Sequence, residues 1–341
     1  MVRKQHNASL KGYNSFGIDT TADLLVEWES VADLVEFLHT EGKALFGGQW
    51  DILGSGCNTL LTGPYRGTLL HSVAKGISIV SDTPEGVLIR AEAGHTWDDV
   101  VAWSCAQGLW GIENLSAIPS SVGASAVQNI GAYGVEAKDC IESVEVLHVD
   151  TLTVGLIKGS DCAFGYRESI FKSALKGKVI ITAVNYLLSR TPAPKLGYGS
   201  LQEEVAKLGE ITPQAIRQAI TTIRNGKLPD PEVVGNAGSF FKNPILPRTQ
   251  VEALKAEHPT MPIYEVEGRP ECLKIATGWM IDSLGWKGRS LGRAGVHDKQ
   301  ALVLVNLGGA EGCEVVALAE RICKEVKNKF GVDISPEVNI L

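Results

Sequence analysis

The sequence lacks the patterns that identify several common classes of protein. Its 341 residues include seven cysteines but no Cys-x-x-Cys pair, which fits a reducing compartment better than a disulfide framework. No apolar run reaches the ~18 residues that a membrane helix needs. The first six residues are polar and lack the apolar core of a signal peptide. We therefore expect a cytoplasmic protein that does not enter the membrane.

Charge and motif content exclude further functions. A net charge of −7 argues against a general nucleic-acid surface, although a few local cations and backbone N–H groups still suffice for an anionic ligand. No His, Cys and Asp cluster has metal-ligand spacing, so we expect no catalytic metal. The chain also has neither a Gly-x-Gly-x-x-Gly fingerprint nor a Gly-x-Ser-x-Gly elbow, which leaves a Rossmann fold and the usual serine hydrolase unsupported.

Hydrophobic periodicity predicts a mixed α and β chain of two or three domains. The best candidate boundary is the segment 227–232, which contains two prolines and a shift in composition. The charge-poor segment 111–134 and the proline-bracketed segment 191–199 read as loops. Predicted helices cover 30–41, a stretch from Thr96, 213–225, 248–257, 273–284 and 311–330, and predicted strands cover 68–72, 77–81, 86–92, 141–149, 178–188, 301–306 and a short strand at Glu337.

Three segments rich in small residues are candidate phosphate-binding loops. They are 54–58 (GSGCN), 119–125 (PSSVGAS) and 128–134 (QNIGAYG). Small side chains let backbone N–H groups face a pyrophosphate, whereas the alternative for the motif 54–58 alone is a glycine-rich turn. Three such loops in one chain favour a single long ligand.

Three polar residues from distant segments suit a reaction that protonates a carboxylate-bearing substrate while negative charge builds up. Ser239 lies in the segment 236–244 (NAGSFFKNP), Arg167 lies in FGYRES, and Glu337 lies near the C-terminus. The alternatives are a turn serine, an arginine paired with Glu168 or another acid, and a solvated glutamate.

Two basic residues suit a phosphate-bearing ligand. Arg224 and Lys227 follow a predicted helix, although basic residues also complement a helix C-terminus. Tyr198 lies on the 191–199 segment, and the residues alone indicate a surface loop aromatic there.

Ten motifs, in order and spread over nearly the whole chain, resemble the UDP-N-acetylenolpyruvoylglucosamine reductase family, the flavoenzymes that complete UDP-N-acetylmuramate synthesis for the bacterial cell wall. The motifs are 14–17 (NSFG), 54–58, 111–115 (GIENL), 118–125, 128–134, 164–167 (FGYR), 227–230 (KLPD), 236–244, 278–282 (GWMID) and 336–338 (PEV).

The resemblance implies an α+β fold of the vanillyl-alcohol-oxidase type, with two FAD-binding subdomains at 1–70 and 71–226 and a substrate-binding domain at 227–341. It implies non-covalent FAD, held by Gly54, Ser55, Gly56, Cys57, Asn58, Gly123 and Ser125. Ser120 stands where the family often has glycine, and Ala126 where proline is frequent; both changes are conservative in size.

The resemblance also implies the reaction. NADPH reduces FAD, and the flavin passes hydride to the vinyl carbon of UDP-N-acetylenolpyruvoylglucosamine. Ser239 then donates a proton, while Arg167 and Glu337 stabilise the enolate-like intermediate. Tyr198, Arg224, Lys227, Asn243 and Gln300 contact the substrate, and we expect a monomer.

Two other functions are consistent with the residues. One is a flavin oxidoreductase of the same fold that oxidises an alcohol or sugar, although such a reaction wants a base rather than the proton donor proposed for Ser239. The other is a catalytically silent nucleotide-sugar-binding protein, which predicts no bound chromophore.

The purified protein should be yellow, with one FAD per chain. Because the predicted binding is non-covalent, heat or acid precipitation should release the flavin into the supernatant, where its visible spectrum measures it. A colourless protein that FAD does not reconstitute would contradict the flavoenzyme interpretation.

Overall fold

The computed structural model of the chain describes residues 1–266 and 268–341. The helices are α1 (Val31–Phe46), α2 (Trp97–Ala106), α3 (Val122–Gln128), α4 (Leu201–Ala206), α5 (Pro213–Lys227), α6 (Arg248–Glu257), α7 (Thr277–Ser283) and α8 (Gly312–Phe330). The strands are β1 (Val2–Ser9), β2 (Thr21–Trp28), β3 (Trp50–Ile52), β4 (Thr59–Leu60), β5 (Tyr65–Ser72), β6 (Ile77–Asp82), β7 (Gly86–Glu92), β8 (Gly131–Ala132), β9 (Val135–Glu136), β10 (Ile141–His148), β11 (Val154–Lys158), β12 (Val179–Ser189), β13 (Asn236–Ser239), β14 (Ile245–Pro247), β15 (Ile263–Glu265), β16 (Cys272–Ile275), β17 (Ser290–Leu291), β18 (Ala294–Val296), β19 (Val303–Asn306) and β20 (Asn339–Ile340).

The chain folds into two compact units that are discontinuous in sequence. The first unit comprises 1–8, 22–55 and 66–226, and the second comprises 9–21, 56–65 and 227–341. The predicted division into 1–70, 71–226 and 227–341 follows the chain continuously and stays a prediction.

The first unit is built around an antiparallel sheet of order β11-β10-β12-β7-β6. Its central strand β12 is buried along most of its length, because Tyr186 on this strand shares an apolar cluster with Trp97 of α2 and Val122 of α3, and Ile180 packs in the cluster around α1. A second sheet, of order β1-β2-β5-β3, packs against α1 through Trp28 and Leu34.

The second unit combines small sheets with α6, α7 and α8. One sheet has the order β13-β19-β18-β17, another β14-β16-β15, and β20 pairs with β4 in parallel. The amphipathic α8 buries Leu318 and Ile322 in the core of this unit. It ends at Gly331, whose φ of +67° forms a left-handed cap.

Several predicted elements are confirmed by local chemistry. Ser30 caps α1 by accepting from the N–H of Asp33, and α5 begins at Pro213 as the Thr212-Pro213 pair predicts. Helix α6 has the predicted bounds of 248–257.

Three predictions of local structure were wrong. The helix predicted from 273 begins only at Thr277, because 272–275 pairs as β16. The segment predicted as a loop from 111 contains α3. Glu337 lies in a bend rather than on a strand, and β20 begins two residues later, at Asn339.

Candidate active site

The first small-residue loop, 54–58, follows β3 in a conformation that requires glycine. Gly56 has a φ of +68°, and a Cβ there would lie 1.9 Å from the carbonyl oxygen of Tyr13. A Cβ on Gly54 would lie 3.1 Å from Oγ of Ser121, so this loop passes directly over the second small-residue segment. Of the other predicted FAD residues here, Cys57 and Asn58 are half-buried and Ser55 is exposed.

The second segment uses its small residues for close packing. Gly123 donates its N–H to Ala93, and a Cβ on Gly123 would lie 3.2 Å from Cβ of Ala93. The hydroxyl of the fully buried Ser125 donates to the carbonyl of Val122 and lies 2.6 Å from the Tyr186 hydroxyl. The groups of Ser125 are therefore used to hold α3 against the sheet, and its predicted contact with FAD stays a prediction.

Arg167 lies in a strained turn. The turn is closed by two hydrogen bonds between the backbones of Gly165 and Glu168, and Arg167 has a φ of +57°, which costs energy in a residue with a Cβ. Its guanidinium donates to the carbonyl of Gly131 over 2.9 Å. Lys172 donates to the Arg167 carbonyl, so the turn is held from both sides.

Tyr133, Tyr198 and Arg224 form a cluster in the first unit. The rings of Tyr133 and Tyr198 meet edge to face with centroids 5.8 Å apart. Burial raises the pKa of Tyr133, partly offset by the nearby charge of Arg224, and burial lowers the pKa of Arg224. The structure thus brings together two predicted substrate residues and adds Tyr133, which we did not predict although it lies in the small-residue segment 128–134.

An ion pair between Asp98 and Arg217 is linked to this cluster through the backbone of Ala117. Both carboxylate oxygens of Asp98 accept from Arg217, at 2.5 and 2.7 Å, and one of them also accepts from the N–H of Ala117. The carbonyl of Ala117 in turn accepts from Nε of Arg224. Burial alone would raise the pKa of Asp98, but the hydrogen bonds from Arg217 and Ala117 outweigh it and lower the pKa. Lys227, the last residue of α5, is exposed.

Ser239 and Glu337 lie on neighbouring segments of the second unit. The N–H of Glu337 donates to the carbonyl of Phe240 over 2.8 Å, beside a bridge between Phe241 and Pro336. Gly238, before the serine, has a φ of +66° with open space around its Cβ position. Ser239 is exposed and Glu337 half-buried.

Asn243 and Gln300 both lie near the start of α7. Oδ1 of Asn243 accepts from the N–H of Thr277, and the side-chain oxygen of Gln300 accepts from the N–H of Leu302. A Cβ on Gly278 would lie 3.5 Å from that oxygen of Gln300, which places the two amide side chains beside the same helix end.

A pocket of about 220 Å³ opens in the first unit beside the 191–199 segment. Its lining residues include Ala193 and Lys195 of that segment, together with Glu113 and Cys140. Burial raises the pKa of Glu113 and raises that of Cys140 to about 12, so the thiol stays protonated at neutral pH. None of the predicted site residues lines this pocket.

The residues of the first unit fit a long phosphate-bearing cofactor such as FAD. The segments 54–55 and 119–125 of this unit meet at Gly54 and Ser121, where a Cβ on Gly54 would lie only 3.1 Å from Oγ of Ser121. These two segments would hold the pyrophosphate against backbone. Among residues 1–266 and 268–341, no group of three His, Cys, Asp or Glu side chains could hold a metal. No helix within the same described residues is long and apolar enough to cross a membrane.

Comparisons with known proteins converge on one family. Residues 22–154 match the model of an FAD binding domain, and residues 230–341 match the C-terminal domain of UDP-N-acetylenolpyruvoylglucosamine reductase. Reductases of that name from Bacteroides fragilis and Pseudomonas aeruginosa are 47% and 45% identical to the chain, over 98% of both partners in each case. The crystal structure of the Thermus caldophilus reductase superimposes with a TM-score of 0.66 at 22% identity, covering 100% of this chain and 98% of the other. The predicted fold class is confirmed.

Replacing Asp98 by Asn should destabilise the protein at pH 7 by about 1–2 kcal/mol, after allowance for partial exposure, because the pair with Arg217 is lost. The folded state lowers the pKa of Asp98. Its stabilisation is therefore complete above the unfolded pKa, about 4, and is lost as the pH falls through the folded value. Thermal unfolding from pH 7 to 3 should show the gap between wild type and variant closing at acid pH.

The exposed pair between Arg66 and Asp23 supplies the matched control for this measurement. Asp23→Asn should change the melting temperature little at any pH. A gap for Asp98→Asn that is absent at pH 7, or constant down to pH 3, would contradict the assignment.

Proposed function

The chain belongs to the UDP-N-acetylenolpyruvoylglucosamine reductase family, and from that membership we propose which of its residues carry the reaction. It is an FAD-dependent oxidoreductase that reduces UDP-N-acetylenolpyruvoylglucosamine with NADPH in peptidoglycan precursor synthesis. Bound FAD supplies the hydride chemistry, which no protein side chain can provide. Gly54, Ser55, Gly56, Cys57, Asn58, Gly123 and Ser125 are the residues proposed to hold it.

Ser239 is the proposed proton donor, and its position carries the proposal. The serine ends β13, is exposed, and follows a glycine with open space around it, so a substrate carbon can approach its hydroxyl. Serine is a weak acid in water. It serves here because the intermediate left by hydride addition is strongly basic and is held in contact with the hydroxyl.

Arg167 and Glu337 are proposed to stabilise the negative charge that develops on the substrate carboxylate. The strained turn at Arg167 supports this role, because backbone strain persists where the surroundings hold a functional geometry. The guanidinium can bind the carboxylate by two parallel hydrogen bonds. Glu337 acts in a neutral or hydrogen-bonding form, since a bare carboxylate would repel the same charge.

The remaining predicted residues are proposed to hold the nucleotide sugar. Tyr198, Arg224 and Lys227 take the diphosphate end, and the contact of Tyr198 with Tyr133 near Arg224 supports this grouping. Asn243 and Gln300 offer hydrogen bonds from their side-chain amides. We further propose that the protein works as a cytoplasmic monomer, away from nucleic acid and membranes, and without a metal.

Ser239→Ala should separate the two half-reactions. Because the serine acts only after hydride has left the flavin, NADPH should still bleach the FAD absorbance at a near-normal rate. Reoxidation by the enolpyruvyl substrate should slow by about 10²–10⁴, the contribution of a positioned acid. Ser239→Cys should recover part of the rate, because a thiol can also donate a proton. Stopped-flow absorbance measures each step.

Ser290→Ala, at another exposed serine of the second unit, is the control and should leave both rates unchanged. Circular dichroism checks folding. If both half-reactions of Ser239→Ala survive, or both fail with the fold intact, Ser239 is not the donor.

A further inference from the structure

Asn114 is a fully buried carboxamide in the first unit to which the reaction assigns no role. It lies in the 111–115 motif and is 0% exposed. Its Nδ2 donates to the carbonyl of Tyr133 and to the carbonyl of Lys195, each over 2.8 Å. Both hydrogens of one amide are therefore used to join two segments that are 62 residues apart in the chain.

The segment that contains Lys195 has few other attachments. Every residue from Thr191 to Gly199 is exposed except Leu196, which is half-buried and packs beside α4 and α5. Ala193 and Lys195 line an open pocket rather than a packed interior. Lys195 also pairs with Asp139 at 3.3 Å, but this exposed pair contributes little. The hydrogen bond from Asn114 is thus a main tether of the segment.

The other acceptor lies in the aromatic pair. Tyr133 has a φ of +49°, which a non-glycine residue adopts only when its surroundings hold it. Its ring meets that of Tyr198, three residues beyond Lys195, edge to face. Asn114 consequently holds the backbones of both sides of this ring contact.

Oδ1 of Asn114 is buried and, among the residues that the structure describes, has no hydrogen-bond partner. A buried acceptor without a partner is unfavourable, so Asn114 is a poor choice for stability alone. What the amide offers and an apolar residue does not is its two N–H groups.

We propose that Asn114 is a positioning residue that fixes the Tyr198 segment against Tyr133 and so preorganises the diphosphate contact of Tyr198. The proposal rests on the substrate role proposed for Tyr198. A segment that is already ordered loses less entropy on binding, so Asn114 should act on nucleotide-sugar affinity without touching the ligand.

The test uses Asn114→Asp and Asn114→Leu in the FAD-loaded protein. Asp preserves the shape but turns a carboxylate oxygen toward two carbonyl oxygens, and Leu removes both donors at similar volume. The control is Asn185→Leu, since Asn185 is a buried asparagine of the same unit whose Nδ2 donates to Ser143. Tyr198→Ala is the reference for loss of the contact itself.

The first readout is limited trypsin cleavage after Lys195, which reports the tether independently of function. Both Asn114 variants should be cut there about tenfold faster or more, whereas Asn185→Leu should match wild type, because exposure of a tethered segment follows its local stability. In wild type, UDP-N-acetylenolpyruvoylglucosamine should protect the same bond. This protection is measured on wild-type protein and so does not depend on whether the Asn114 variants fold. If the substrate does not slow cleavage after Lys195, the proposal is contradicted.

The second readout is affinity for UDP-N-acetylenolpyruvoylglucosamine, measured by calorimetry on oxidised enzyme. The Asn114 variants should bind about tenfold more weakly, as two buried hydrogen bonds predict, with flavin reduction by NADPH unchanged. If cleavage and affinity are unchanged in the Asn114 variants while Tyr198→Ala weakens binding, the inference about Asn114 is wrong and the proposed substrate role of Tyr198 stands. Unchanged affinity in Tyr198→Ala with faster cleavage in the Asn114 variants would overturn the substrate role of Tyr198 and leave the tether supported.

Discussion

Buried asparagine side chains are the constraint on which the functional loops of both units depend. A loop backbone that is removed from water must still pair its N–H and C=O groups, yet it has no neighbouring strand or helical turn to do so. A carboxamide carries two donors and one acceptor oxygen, so one side chain can pair several backbone groups. The asparagines that act in this way are Asn14, Asn114, Asn129, Asn236 and Asn306.

The same arrangement allows backbone strain where the chemistry needs it. Asn129 and Arg167 both have positive φ, and Nδ2 of Asn129 donates to the carbonyl of Gly165 at the base of the Arg167 turn. In the second unit, Asn236 accepts from the N–H of Gly238 and donates to the carbonyl of Val234, which fixes the backbone that leads to Ser239. In both places an asparagine side chain that is near in sequence or in space pairs backbone groups, and in the second unit it does so beside the short pairing of β13 with β19.

Helix starts and caps that depend on single residue types could be predicted from the sequence, whereas pairing between distant segments could not. The Thr212-Pro213 start of α5 and the Gly331 cap of α8 follow from residue types at single positions, so they were predicted. The assignment of 9–21 and 56–65 to the second unit depends on pairing between distant segments, which no local pattern encodes. The site motifs were identified by their resemblance to a family, whereas the contact between Tyr133 and Tyr198 and the tether at Asn114 exist only in three dimensions.

Amide hydrogen exchange in Asn236→Ala tests most directly whether buried carboxamides hold the functional loops, with Asn185→Ala, at a buried asparagine of β12, as the control. Asn236 is the first residue of β13, and loss of its side chain removes the partners of Val234 and Gly238 while the backbone pairing of β13 with β19 can remain. The account predicts faster exchange in 229–240, at Gly238 above all, with little change elsewhere and none in that segment for the control. Unchanged exchange in 229–240, or a rise spread evenly through the second unit, would contradict it.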